Sequence, residues 1–274
     1  MKKEEIKKAV RKGYAEIAVR NDSCCASTSN RSGQRASQLS KAIGYAEEEL
    51  KSVPEDADMG LGCGNPVALA SLKEGETVLD LGSGGGIDCF LAARKVGESG
   101  KVIGVDMTPE MIEKARENAK KGGFENVEFR LGEIEDLPVD DNSFDVIISN
   151  CVINLSPDKE SVFKEAFRAV KPGGRLFVSD IVLLKELPEA VRANMEAYIG
   201  CLSGAVGKDE YIGLIEQVGF RDVSIRKESG CSVEVLSNDP TVIAMMKSFD
   251  VSRAEAEEVI RSVISVIVEG TKPD

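Results

Sequence analysis

The chain has no histidine and no tryptophan among its 274 residues. Without histidine there is no Ser-His-Asp triad, no Cys-His nucleophile pair and no Cys2His2 metal site. No two cysteines stand in C-x-x-C spacing, which leaves a zinc ribbon or a thioredoxin-type motif without support. Positive charge is scarce. Lys and Arg number 35 against 47 Asp and Glu, a net charge of −12, which opposes a nucleic-acid partner because phosphate binding needs a basic footprint. Long apolar runs are missing too: "VISVIV" near the C-terminus is far short of the roughly 20 residues a membrane span needs. The N-terminal "MKKEEIKKAV" is amphipathic and contains acids, unlike a secretory signal. A cytoplasmic protein with neither a nucleic-acid nor a membrane partner is the expectation.

Cysteine, by contrast, is plentiful. The seven are Cys24, Cys25, Cys63, Cys89, Cys151, Cys201 and Cys231. Their odd number and wide scatter in a chain of this size argue against a secreted disulfide framework.

Apolar spacing at Ile6, Val10, Tyr14 and Ile17 predicts an opening helix. The Ser-rich "NDSCCASTSNRSGQRASQ" that follows reads as a loop carrying two thiols. A short acidic helix around "YAEEELKSV" then leads into the irregular "PEDADMGLGCGNP". From residue 68 strands and helices alternate. "TVLDLGSGGG" is an apolar run breaking into glycines, and "KVIGVDMTPEM" is a strand leading to a helix with Thr108 as N-cap and Pro109 at its first position. "NVEFRLG", "FDVIISN" and "GRLFVSDIVL" complete five strands. Val162, Phe163, Ala166, Phe167 and Val170 share one face of a helix between the last two. This rhythm predicts an α/β fold with a doubly wound, mostly parallel sheet. Further on, a helix is expected over residues 189–200 and another in "KDEYIGLIEQVGF", closed by Gly219. "RDVSIRKESGCSVEVLS" reads as two edge strands, and a last helix bears Val259, Ile260, Val263, Ile264 and Ile267.

The glycines at 82, 84 and 86 let a ligand approach the backbone after the first strand, beside a helix N-terminus. A dinucleotide fingerprint would need a glycine at 87, which is Ile87, and no Lys-Ser/Thr follows to make a P-loop. Asp106 ends the second strand, 24 residues after Gly82, where a carboxylate can accept both ribose hydroxyls. In "GEIEDLP" the backbone at Ile134, or the side chains of Glu133 and Glu135, can meet an adenine ring. No basic residue in these loops is placed to hold phosphate, so an adenosyl ligand without phosphates fits better.

Together "VLDLGSGGG", "VIGVD", "GEIEDLP" and "VKPGGRL" resemble the class I S-adenosylmethionine-dependent methyltransferases, with their Rossmann-like core. The resemblance implies S-adenosylmethionine as cofactor, with Asp80, Gly82, Ser83, Gly84, Gly86, Asp106, Met107, Ile134, Glu135 and Asn150 as its candidate contacts.

Asn150 and Cys151 in "SNCVINLSPDKE" end the fourth strand, where ligands of doubly wound sheets bind. A hydroxyl or amine acceptor needs a base, and with no histidine that base would be Asp, Glu, Lys or Tyr. A soft acceptor with a lone pair needs none. Trivalent arsenic held by three thiolates is such an acceptor, its lone pair pointing away from the sulfurs. Across roughly residues 40 to 235, "GLGCGNPVALASLKEGETVLDLGSGGG" and "SNCVINLSPDKESVFKEAFRAVKPGGRL" are similar to the arsenite methyltransferase family. The resemblance implies that Cys63, Cys151 and Cys201 hold As(III). It also implies that an N-terminal thiol, Cys25 or Cys24, joins a disulfide relay. Arsenite would arrive as an adduct of glutathione or another thiol, and thioredoxin or another dithiol would act as reductant. Cys89 and Cys231 read as buried small hydrophobes.

The expected segments are residues 1–66, helical and thiol-bearing; 67–184, the cofactor-binding core; 185–239, arsenic-site helices and edge strands; and 240–274, a C-terminal helical extension. Two other readings remain open on residues alone. One is methyl transfer to carbon or oxygen of a quinone, lipid or metabolite, which would survive loss of the three thiols. The other is a thiolate buffer for soft metal ions, which would bind As(III) or Zn(II) without the cofactor.

Overall fold

The computed structural model describes residues 2–20, 32–230 and 253–274. Its frame is one seven-stranded sheet in the order β3-β2-β1-β4-β5-β7-β6. β1 (Thr77–Leu81), β2 (Lys101–Asp106), β3 (Val127–Leu131), β4 (Phe144–Asn150) and β5 (Val170–Leu183) run parallel. β7 (Val263–Thr271) is antiparallel to both β5 and β6 (Arg221–Gly230). The order reverses between β1 and β4, so their carboxyl ends flank a crevice.

The central strands are apolar throughout because both faces are covered. Leu79, Leu81, Ile103, Val105, Ile147, Leu176 and Val178 point into one core, against Phe163, Tyr211 and Phe220. The alternate residues Val78, Val102, Val146, Ile148 and Phe177 point into the other, against Phe90, Leu91 and Ile112. The first core is closed by α7 (Lys159–Ala169) and α10 (Lys208–Gln217). The second is closed by α5 (Ile87–Val96) and α6 (Pro109–Gly122). Around this body lie α1 (Lys3–Arg20), α2 (Ser32–Ile43), α3 (Glu47–Lys51), α4 (Pro66–Leu69), α8 (Glu189–Arg192) and α9 (Met195–Ile199).

Several local expectations are corrected. The helix expected to carry Val259 through Ile267 stops at Ser262, and Val263–Thr271 is strand β7. β-Branched Val and Ile fill this run and pair with β5 from Leu183↔Val263 to Arg175↔Thr271. Sheet pairing therefore decides against a helical spacing that the sequence also permits. The partner of β6 is β7, 33 residues or more along the chain (263 − 230), while the expected second edge strand lies outside the described residues. The single helix over 189–200 is two, because Asn194 accepts a hydrogen bond from Ala197 N (3.0 Å) and starts a new turn. The polar loop after α1 gives way at Ser32 to α2. Among the described residues no helix is long and apolar enough to cross a membrane.

A candidate active site with converging thiols

The crevice at the ends of β1, β2 and β4 is a cleft of about 1010 Å³, its mouth included. Its floor holds Asp80, Gly82, Ser83, Gly84 and Asp106, with Met107, Ile134, Glu135, Asn150 and Cys151 around them. Nine of the ten cofactor candidates thus line one space. The exception is Gly86, whose pro-Cβ direction faces the rings of Phe90 and Phe129 behind the loop.

α1 covers the cleft with Lys7, Val10 and Tyr14. Lys7 pairs with Glu133 (2.7 Å) and Glu135 (3.3 Å), and Arg11 pairs with Glu133 (2.9 Å). Glu133 therefore faces the covering helix and is not among the residues lining the cleft.

The residues suit a cationic nucleoside better than a phosphate. Among the described residues lining the cleft, Lys7 is the one Lys or Arg, and Glu133 and Glu135 engage it. Against it stand Asp58, Asp80, Asp88, Asp106 and Glu135. Asp106 is fixed by Gly84 N donating to Oδ2 (3.0 Å) and Thr108 N donating to Oδ1 (2.8 Å). Burial raises its pKa while those backbone bonds oppose the rise. Ser83 Oγ is buried with no protein partner, a polar atom still to be satisfied. A Cβ at Gly84, where φ is 50°, would meet nothing within 4 Å. An adenosyl ligand bearing a sulfonium and hydroxyls fits this donor set.

Beside the cleft three thiols converge. Cys151 follows directly on β4, and its N–H donates to Ser179 O (2.8 Å). Cys63 arrives on the segment before α4: its N–H donates to Asn150 Oδ1 (3.1 Å), and its Sγ lies 3.5 Å from Ser179 O. Glycines on either side permit that approach. A Cβ at Gly62 would sit 2.7 Å from Asn150 Nδ2, and one at Gly64 would overlap Ser179 Oγ. Cys201 follows α9 and donates to Cys151 O (3.0 Å). Cys151 and Cys201 both have left-handed backbones, at φ 58° and 64°. For non-glycine residues this costs on the order of 1 kcal/mol each, strain that concentrates at functional sites.

The Cys151 thiol interacts with those of both Cys201 and Cys63. Cys201 lowers its pKa, but Cys63 and burial outweigh that and push it well above the usual thiol range. The hydrogen bond with Cys151, then burial, push Cys201 up, and burial does the same to Cys63. With their pKa values raised, all three thiols are protonated near neutrality.

Sequence reasoning missed several neighbours. Asp180, one residue past the Asn150↔Ser179 register pair, brings a carboxylate oxygen within 4.8 Å of Sγ of Cys63 and Cys151. Its signal was an acid inside the apolar run "FVSDIVL". Asp88 and Tyr45 were missed too. Asn150 Nδ2 donates to Tyr45 OH (2.8 Å), Gly64 O (2.8 Å) and Asp88 Oδ2 (3.0 Å), so this amide ties the cofactor cleft to the Cys63 segment. Cys89 is fully buried as expected, and its thiol donates to Asp80 Oδ2 (3.2 Å). Cys24, Cys25 and Cys231 lie outside the described residues.

Gly64→Ala tests the close approach directly. Ser179 is 1% exposed on β5 and has no room to yield. Overpacking of about 1–3 kcal/mol should lower the melting temperature by about 5 °C, read by calorimetry.

A parallel sheet reversing beside an acidic, glycine-floored cleft defines a methyltransferase-type nucleoside site. The chain belongs to the methyltransferase domain family, whose model matches residues 72–219. Within it the resemblance is to arsenite methyltransferases. The chain is 48% identical over 230 residues to one from Halobacterium salinarum, covering 81% of this chain and 59% of that one. It is 44% identical over 187 residues to one from Aquipseudomonas alcaligenes, covering 66% and 54%. The chain thus spans somewhat more than half the length of these relatives. An arsenic(III) S-adenosylmethionine methyltransferase from Chlamydomonas reinhardtii superposes with a TM-score of 0.64 at 34% identity, covering 87% of this chain and 74% of that one.

Proposed function

We propose that the chain transfers a methyl group from S-adenosylmethionine to trivalent arsenic held by Cys63, Cys151 and Cys201. The observation that carries this reading is the meeting of Cys63 and Cys151 at the edge of the cofactor cleft, with Cys201 against Cys151. The cofactor supplies an electrophilic methyl group on a sulfonium. Asp106 would accept the ribose hydroxyls, Ile134 would wall the adenine, Asp88 would favour the ligand's positive charge, and Asp80 would lie against the ligand beside it. Ser83, Gly84, Met107 and Glu135 complete the cofactor contacts. Cys201, which stands outside the tight group formed by Cys63, Cys151 and Asp180, would turn its thiol from the Cys151 carbonyl to complete the arsenic pyramid. Arsenic so held presents its lone pair without a general base, and rate comes chiefly from positioning.

Arsenite would arrive as a glutathione or similar thiol adduct, exchanging sulfur for sulfur. Cys25 or Cys24 would serve as relay thiol, with thioredoxin or another dithiol restoring it. Incubating the protein with arsenite, glutathione and methyl-labelled cofactor should yield labelled methylarsenicals; label in no arsenic species overturns the reading. Asp106→Ala should weaken cofactor binding about 100-fold by calorimetric titration, about 3 kcal/mol for lost charge-assisted hydrogen bonds and a loosened loop.

A further inference from the structure

We infer that Cys63, Cys151 and Asp180 form a cage for a divalent thiophilic cation, with zinc as its probe, in which the Asp180 carboxylate is a ligand that trivalent arsenic does not use. The cage overlaps the proposed arsenic site and rests on that reading only for its competition with arsenic. Zinc binding itself is measured without arsenic, so the two ideas fail separately.

The three ligand atoms all lie within 4.8 Å of one another. Around tetrahedral zinc, with bonds of about 2.3 Å to sulfur and 2.0 Å to oxygen, the corresponding separations are roughly 3.5–3.8 Å, a modest contraction. Each ligand is held from behind. Asp180, 1% exposed, accepts from Asn154 Nδ2 (2.8 Å) and Ile181 N (3.1 Å) on Oδ1, and from Tyr211 OH (3.1 Å) on Oδ2. Such partners orient a metal-binding carboxylate and leave it further lone pairs. Cys63 is fixed on both sides of its backbone, by Asn150 at its N–H and by Ser265 Oγ donating to its carbonyl (2.6 Å). Cys151 is clamped to Ser179.

Valence separates the two ions. Trivalent arsenic takes three sulfurs, and its lone pair fills the fourth direction. A divalent d10 ion has no such pair and takes four ligands, so the nearby oxygen gains a use. Zinc would replace the two thiol protons, which leave to buffer, and bind Asp180, with water in the fourth position. No bond is oxidised or reduced. A zinc-filled cage has no lone pair to offer a methyl donor, so zinc competes with arsenite and not with the cofactor.

Zinc affinity, measured by competition with a chromophoric chelator, should fall at least 10-fold in Asp180→Asn, while arsenite binding stays within threefold. Cys201→Ala should show the reverse, losing arsenite and keeping zinc within threefold. Unchanged zinc affinity in Asp180→Asn overturns the cage. If Cys201→Ala keeps arsenite as well as zinc, the three-thiol reading fails and the cage stands. Should Asp180→Asn fail to fold, X-ray absorption on the wild-type zinc protein decides. A mixed sulfur and oxygen shell supports the cage, and an all-sulfur shell sinks it.

Discussion

Replacing Cys151 by serine is expected to abolish arsenic methylation, at least a 100-fold loss, while cofactor affinity stays within about twofold. The proposed arsenic cage has one member in touch with both others, and it is Cys151: its thiol interacts with those of Cys63 and Cys201. Serine has nearly the same shape and keeps the backbone bond from residue 151 to Ser179 O, so the strand end should hold its place. Its oxygen is a hard donor with a far higher pKa than a thiol, and it does not replace sulfur on a thiophilic centre. The principal cofactor candidates lie on other strands, at Ser83 and Gly84 after β1 and at Asp106 on β2. Calorimetric titration with S-adenosylhomocysteine and product analysis with labelled cofactor read the two halves separately. Full methylation by Cys151→Ser would remove the mechanism; lost cofactor binding would show that residue 151 serves the cleft instead.

The parallel half of the sheet was legible because burial on both faces leaves no room for ambiguity. "FDVIISN" is strand β4 end for end, and the glycines after "TVLDL" mark the turn into α5. The antiparallel half was not. In "VISVIVEG" the same residues satisfy helical and strand spacing, and the strand wins through partners on β5 that are 80 or more residues away (263 − 183), a relation no local window contains. The site divides similarly. Cys151 was visible as a thiol at a strand end. Cys63 and Cys201 entered through a family resemblance, and the physical reason for the former, glycines that let the chain lie against Asn150 and Ser179, appears only in three dimensions. Asp180 stayed hidden because β5 runs on past the end of β4, so a residue that reads as strand interior stands level with Cys151.

Stability is expected to fall as pH rises from about 4 to 6, against the habit of proteins whose carboxylates are all ion-paired. Asp88 lies at the start of α5, 5% exposed, facing Tyr45, Asn150, Asp80, Glu49 and Asp58. Burial raises its pKa from 3.8 to about 6; the bonds from Tyr45 and Asn150 pull it down, and the charges of Glu49 and Asp58 push it up. The folded state thus holds this proton more tightly than the unfolded chain. Its contribution is fully present below pH 3.8 and is lost as pH climbs through about 6. That shift corresponds to about 3 kcal/mol. Asp80, raised well above its usual range by burial and by Asp88, carries the same sign to higher pH. Glu128 opposes, its pKa lowered to about 2 by Arg130 and Lys101, but its contribution is lost only as pH falls below 4.5, and exposure keeps it small. Urea unfolding at steps from pH 4.5 to 7.5 should show the decline in the wild type and a flatter slope in Asp88→Asn. The variant's overall level will be lower, since an amide at 88 cannot accept from both Tyr45 and Asn150 as the carboxylate does, so the slope is the discriminating quantity. A wild-type protein that gains stability from pH 4.5 to 6 would mean that Asp88 is ionised and compensated in the fold, and that the cleft is less acidic than its residues indicate.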